Sequence, residues 1–294
     1  MDLDRLKSES FTWREIRGVI QEILNSDVEA KWIIEDVAGE GAYLLSSRPS
    51  ELELETVVSL VNKRQQGCPI QYVLSTWGFR TLSLKLRESV LIPRPETELL
   101  VSQALKELEE ETDSIEPLNV LDLCCGSGAI GISILKESRC AKEIVMYFSD
   151  ISDDAVKLTK ENLSLNIDTL EEKCDAKFYI GDLFIPFKSA GILFDLIIVN
   201  PPYVSEEEFT SLDFSVKNYE PKLALLGGYD GLDVIRRVIR DSRSYLKSNA
   251  KLIMEFGSTQ ALEVTKLAED SEFYVDFVGR DLAELNRYIV LRKA

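Results

Sequence analysis

The stretch Val120-Leu121-Asp122-Leu123-Cys124-Cys125-Gly126-Ser127-Gly128-Ala129-Ile130-Gly131 decides the fold. It reads as an apolar strand running into a glycine-containing turn and then a helix. Glycines in such a turn let a ligand approach the backbone closely, and the helix start behind them offers free N–H groups. Taken alone, the turn suits a dinucleotide, a nucleoside or no ligand at all. Cys124 and Cys125 read as small turn residues rather than reactive thiols.

Working outward, the chain after Pro117 alternates apolar strands with amphipathic helices. Strands are predicted over 119–123, 144–149, 177–180, 195–199, 251–256, 273–278 and 288–291. Helices are predicted over 128–138, 153–166, 231–246 and 259–269. This alternation implies an α/β fold with a mainly parallel sheet covered on both faces and with ligands at the carboxyl ends of its strands.

The strand ends carry the chemistry. Asp150 directly follows the strand over 144–149, where a carboxylate can accept two hydrogen bonds from a ribose diol. It can equally cap the next helix, although Ser152 or Asp153 can do that instead. Gly181-Asp182-Leu183-Phe184 follows the next strand; Asp182 can accept from an adenine amino group and Leu183 can cover the ring. Glycines, an acid and a second acid at three successive strand ends suit an adenosine without phosphates, which favours S-adenosylmethionine over NAD.

Asn200-Pro201-Pro202-Tyr203 follows the strand over 195–199. Two prolines fix the backbone and remove two N–H donors, leaving carbonyl oxygens free to accept. A planar NH2 group can donate to the Asn200 side-chain oxygen and to the Pro201 carbonyl while Tyr203 packs against its plane. An amide nitrogen is a poor nucleophile because its lone pair is delocalised, so this preorganised pair of acceptors favours the geometry that aims the lone pair at a methyl group. Asn-Pro also starts ordinary turns.

Before the sheet, the region from Leu6 to about Gly67 is helical in pattern, with Trp13, Ile16, Val19, Ile20, Ile23 and Leu24 at three- and four-residue intervals. Pro49-Ser50-Glu51 reads as a helix start. Between Trp77 and Ile92 the period changes to two, with Leu82, Leu84 and Leu86 alternating with polar residues, as in a hairpin. Pro93-Arg94-Pro95 stops the strand, and a helix is predicted over 96–111. The expected domains are therefore a helical one over 1–75, a hairpin linker over 76–93 and a sheet domain over 94–294.

Bulk composition narrows the function. Lys and Arg number 34 against 51 Asp and Glu, a net charge of -17, so the average surface repels phosphate backbones and a nucleic-acid substrate is not expected. There is no histidine, which removes the usual general base near neutral pH, the Ser-His and Cys-His arrangements and most catalytic zinc sites. No metal is expected. Five cysteines without repeating spacing point to a reducing compartment. The acidic opening Met1-Asp2-Leu3-Asp4 and the lack of long apolar runs predict a cytoplasmic protein without membrane attachment, and a monomer is expected.

With Asn200-Pro201-Pro202-Tyr203 in place, the sequence resembles the release factor glutamine N5-methyltransferase family, the HemK-like protein-(glutamine-N5) methyltransferases. The likeness covers nearly the whole chain. Its most telling segment is Leu91-Ile92-Pro93-Arg94-Pro95-Glu96-Thr97-Glu98-Leu99-Leu100-Val101, and Tyr219-Glu220-Pro221-Lys222-Leu223-Ala224-Leu225, with Gly228 and Gly231, is similar too. The resemblance implies a seven-stranded, Rossmann-like class I methyltransferase sheet with a small helical amino-terminal domain and a hairpin linker. It implies that S-adenosyl-L-methionine is held by Asp122, Cys124, Cys125, Gly126, Ser127, Gly128, Asp150, Asp182, Leu183 and Asn200. It further implies that Asn200, Pro201, Pro202 and Tyr203 grip a glutamine amide, with Asn200, Pro201 and Tyr203 as the catalytic set. Glu96 and Thr97 then line that site. The implied partner is a peptide chain release factor bearing a Gly-Gly-Gln loop, held by the helical domain. The family's cofactor loop has its first glycine where this chain has Cys124, and a side chain there narrows the methionine end of the pocket. Three rival readings are a glutamine methyltransferase of a ribosomal protein, an adenine-N6 nucleic-acid methyltransferase that shares the tetrapeptide, and a cofactor-binding scaffold without turnover.

Overall fold

The computed structural model describes residues 11–110, 116–140, 142–167 and 174–294. The expected opening over Met1–Asp4, the helical start at Leu6 and the predicted helix end at Glu111 lie outside the described residues. Contacts divide the chain into two units, Met1–Thr76 with Asp213–Tyr219, and Trp77–Leu212 with Glu220–Ala294.

The first unit is helical, and three of its helices begin where side chains satisfy free N–H groups. Helix α1 (Trp13–Leu24) starts at a capping box in which Thr12 accepts from the Glu15 N–H and Glu15 reaches back to the Thr12 N–H. Ser26 caps α2 (Asp27–Ala38), and Ser50 with Glu53 forms a second capping box on α3 (Glu51–Gln65). Trp13, Ile16, Ile20, Ile33, Ile34, Val57 and Val61 are buried, the helical spacing turned into one apolar core. A short α4 (Ile70–Leu74) follows. Phe214–Tyr219, a later short helix, belongs to this unit, where the Tyr219 hydroxyl donates to the Gln66 carbonyl at 3.0 Å.

The second unit begins at Trp77, inside the first strand of the hairpin β1 (Thr76–Phe79) and β2 (Leu82–Lys85). Helix α5 (Glu98–Glu110) follows a single 3-10 turn over Pro95–Thr97. The strands β3 (Leu118–Leu123), β4 (Ile144–Asp150), β5 (Cys174–Ile180), β6 (Phe194–Val199), β7 (Leu246–Glu255), β8 (Phe273–Arg280) and β9 (Asn286–Lys293) form one sheet in the order β5-β4-β3-β6-β7-β9-β8. The first five are parallel, and β9 runs antiparallel to β7 and β8. Consecutive residues feed opposite faces: Leu121, Ile197, Leu252 and Met254 join one apolar cluster, while Val120, Leu196, Ile198 and Ile253 join the other. The sequence order reverses between β3, which pairs with β4 on one side, and β6 on the other. That switch point opens a crevice at the carboxyl ends of β3 and β6, where ligands bind in sheets of this kind.

The hairpin packs onto this sheet unit. The Ser83 and Lys85 N–H groups donate to Asn166 and Asn162 side-chain oxygens at 2.9 and 2.7 Å on the helix Asp153–Asn166. Its second strand ends at Lys85, well before Ile92; Leu86 continues the apolar alternation because it is buried outside the ladder. The helix predicted over 231–246 spans only Asp233–Ser242, and β7 starts at Leu246 instead of Lys251, because Leu246 pairs with Phe194. Three short helices between Glu206 and Leu225 are too short to show a period in sequence.

Candidate active site

Several residues of the crevice wall come from the ends of β3, β4, β5 and β6. After β3 the chain turns sharply: Cys124, Gly126 and Gly128 have φ of 59°, 56° and 80°. A glycine accepts this conformation freely, whereas Cys124 adopts it at a cost of roughly 1–3 kcal/mol. Leu183, after β5, has φ 48° and carries similar strain. Both residues line one cavity of about 240 Å³, together with Cys125, Gly126, Ser127, Asp150, Asp182, Asn200, Pro202 and Thr97. Asp122 and Gly128 stand behind that wall, and Glu96, Pro201 and Tyr203 are not among its lining residues. Cys124 packs in part against the apolar core and also lines the cavity.

Ser152 caps the helix after β4 by accepting from the Ala155 N–H at 3.2 Å, so Asp150 is released from that task. Its carboxylate instead accepts from Gly126 N–H at 3.0 Å and Ser152 N–H at 2.9 Å, which ties the glycine turn to β4. Burial raises the Asp150 carboxyl above its ordinary range, and these backbone donors act against that rise. Asp122, wholly buried, accepts from Gly131 N–H at 2.9 Å, and its Oδ1 has no partner among the described residues. Burial pushes its carboxyl well up, as it does the Cys124 and Cys125 thiols, whose thiolates are further disfavoured by Asp150. Both thiols are therefore held toward the protonated form, which is the less reactive one.

These bonds decide what the turn can hold. The N–H groups of Cys125, Gly126, Gly128 and Gly131 are already donated to Ser149 O, Asp150, Cys125 O and Asp122. A pyrophosphate would find those donors taken and two carboxylates behind them. The residues fit the adenosine of S-adenosylmethionine better: Asp150 keeps lone pairs for hydroxyl donors, and Leu183 offers a buried apolar face. Asp182, expected to meet an adenine amino group, accepts from Arg237 Nη2 at 2.6 Å through Oδ2. Arg237 lines the cavity and escaped the sequence reading because it sits on an ordinary amphipathic helix.

At the other end, Asn200 Nδ2 donates to Thr97 Oγ1 at 3.1 Å, and Asn200 Oδ1 makes no hydrogen bond among the described residues. Thr97 Oγ1 donates to Glu255 Oε2 at 2.8 Å, and the Tyr203 hydroxyl donates to Glu255 Oε1 at 3.1 Å. Glu255, only 1% exposed, is the residue that motif reading missed. Its signal was present: one acid inside the apolar run Leu252-Ile253-Met254-Glu255-Phe256. Burial lifts its carboxyl to about 7 against the pull of the Thr97 and Tyr203 bonds. Burial, then Glu255, raises the Tyr203 hydroxyl, which remains protonated. The segment that precedes Thr97 is tied to Glu220, which accepts from Ile92 N–H at 3.3 Å and Arg94 Nη2 at 2.5 Å.

Residues 96–215 match the Methyltransferase small domain family. The release factor glutamine methyltransferase of Thermodesulfovibrio yellowstonii is 36% identical over 283 residues, covering 95% of this chain and 97% of that protein. Its counterpart in Clostridium acetobutylicum is 37% identical over 252 residues, 84% of each chain, and that of Bacillus anthracis 36% over 247 residues, 81% and 84%. Strand order, switch-point cavity and these near full-length likenesses agree: the chain belongs to the release factor glutamine methyltransferase family.

Proposed function

We propose that this chain transfers the methyl group of S-adenosylmethionine to the side-chain amide nitrogen of the glutamine in the Gly-Gly-Gln loop of a peptide chain release factor. The observation that carries the reading is Asn200: its NH2 end is tied to Thr97, and its oxygen is left without a protein partner at the cavity wall. When bound, S-adenosylmethionine supplies an electrophilic methyl group on a positively charged sulfur. Asp150, Leu183 and the turn over Cys124–Gly128 hold its adenosine. Asn200 Oδ1 and the Pro201 carbonyl accept the two amide hydrogens of glutamine, and the Tyr203 ring supports the amide plane. Two acceptors in fixed positions orient a flat donor, so the nitrogen lone pair is aimed without reorganisation at the moment of reaction. The nitrogen gains the methyl as the carbon–sulfur bond breaks, the electron pair stays on the departing sulfur as a neutral thioether, and the nitrogen releases one proton to water, a step that needs no histidine.

The helical unit is assigned the task of holding the partner protein. On this reading the chain works in the cytoplasm as a monomer, with a protein and not a nucleic acid as substrate, and the net charge of -17 supports the last point. Among the described residues no helix is long and apolar enough to cross a membrane. The test is labelled S-adenosylmethionine offered with release factor, ribosomal proteins, DNA and RNA in parallel. Mass spectrometry should find one added methyl on the Gly-Gly-Gln glutamine. Labelling of another substrate while the release factor stays unlabelled overturns the proposal.

A further inference from the structure

We propose that Glu255 is a positioning residue that dictates which end of the Asn200 side-chain amide faces the cavity. The inference rests on the amide-binding role given to Asn200 above. The two ends of an asparagine amide have nearly the same shape, so only hydrogen-bond partners tell them apart. An ionised carboxylate accepts and cannot donate. Glu255 therefore draws the single hydroxyl proton of Thr97 to its Oε2 at 2.8 Å, leaving Thr97 Oγ1 with lone pairs only. Asn200 must then present its NH2 group to Thr97, at 3.1 Å, and turn its oxygen to the opposite side.

The rest of the arrangement holds this polarity in place. Tyr203 donates to Glu255 Oε1, so both carboxylate oxygens are engaged. Gln260 Nε2 donates to the Tyr203 carbonyl at 3.0 Å, while Gln260 Oε1 accepts from Gly257 N–H at 2.9 Å just beyond β7. Thr97 is 4% exposed and Glu255 1%, so water has little access to substitute for a lost partner. The charged and titratable groups facing Glu255 are Tyr203, Glu96 and Arg287, with Tyr288 as its ladder partner on β9 and Arg94 acting on Tyr203. Glu96 favours the neutral carboxyl and Arg287 the ionised one. With the carboxyl at about 7, Glu255 is ionised above that pH and neutral below it. The neutral form no longer forces the Thr97 proton one way, and the Asn200 amide is free to turn over.

The experiment compares the native chain with Glu255→Gln, Thr97→Val and Thr97→Ser from pH 5.5 to 8.5. We expect kcat in Glu255→Gln and Thr97→Val to fall about tenfold or more, with the cofactor Kd by calorimetry unchanged. Thr97→Ser should recover rate that Thr97→Val loses. The native kcat should decline as pH drops through about 7, and this limb should vanish in Glu255→Gln. A readout without turnover accompanies it: the nitrogen-15 shift of the Asn200 side-chain amide should titrate with the same midpoint in the native chain and stay flat in Glu255→Gln. An acid limb and an amide titration that persist in Glu255→Gln, or a matching loss of cofactor binding, overturn the inference. A native chain that leaves the release factor unmethylated sinks the proposed function instead, and the amide titration then decides the role of Glu255 by itself.

Discussion

At the glycine-turn end of the cavity, hydrogen bonds join near neighbours in sequence: Gly131 to Asp122 across nine positions and Gly126 to Asp150 across 24. At the Asn200 end they span the whole unit, with Thr97 joined to Asn200 across 103 positions and to Glu255 across 158. The first end is a feature of successive strand-turn-helix units and sits on backbone conformation. The second is a side-chain relay that exists only once β6, β7 and the Pro95–Thr97 turn are assembled. Damage at the two ends should accordingly appear in different quantities, ligand affinity at one and rate at the other.

The sharpest way to break that contrast is Asn200→Ala. Removing a preorganised partner of the reacting group should lower kcat by roughly 10²–10³, while calorimetry shows cofactor binding kept. Equal losses in both would merge the two ends into one. Asp150→Ala acts on the other side, orphaning the N–H groups of Gly126 and Ser152. Cofactor affinity should drop by about 10–100-fold, and kcat at saturating cofactor should be largely regained.

Gly131→Ala probes how tightly the turn end is built. A Cβ there would lie 2.4 Å from Phe148 Cε1, inside contact distance, so urea unfolding should report a loss of about 1–3 kcal/mol. The smallest effect belongs to Tyr203→Phe, which keeps the ring and deletes one hydrogen bond to Glu255. A stability loss of about 1 kcal/mol is expected, with a smaller fall in rate than Asn200→Ala produces. A larger fall would make the Tyr203 arm of the relay, and not the Thr97 arm, the one that matters.

Much of the sheet was legible because many of its strands are apolar runs closed by a small or polar residue, a pattern that needs no partner to be seen. The start of β7 was not, since 243–246 continues the helical spacing of Asp233–Ser242 and only pairing with Phe194 assigns Leu246 to the sheet. Leu86 prolonged the apparent hairpin in the same way, a buried residue that no ladder uses. The cavity-lining Asp150, Leu183 and Asn200 were legible from their positions after strands, whereas Arg237 and Glu255 lie within regular elements and carry no local mark beyond charge.

The order of residues along the chain thus determined which group stands at each strand end, because strand, turn and helix are set by neighbours a few positions away. Only the tertiary structure decided that Asp150 ties down the glycine turn, that Arg237 takes Asp182, and that a buried Glu255 orders Thr97 and through it Asn200. A hydrogen bond is directional and short-ranged, so its donor and acceptor are chosen when distant strands come side by side and water leaves, and not before.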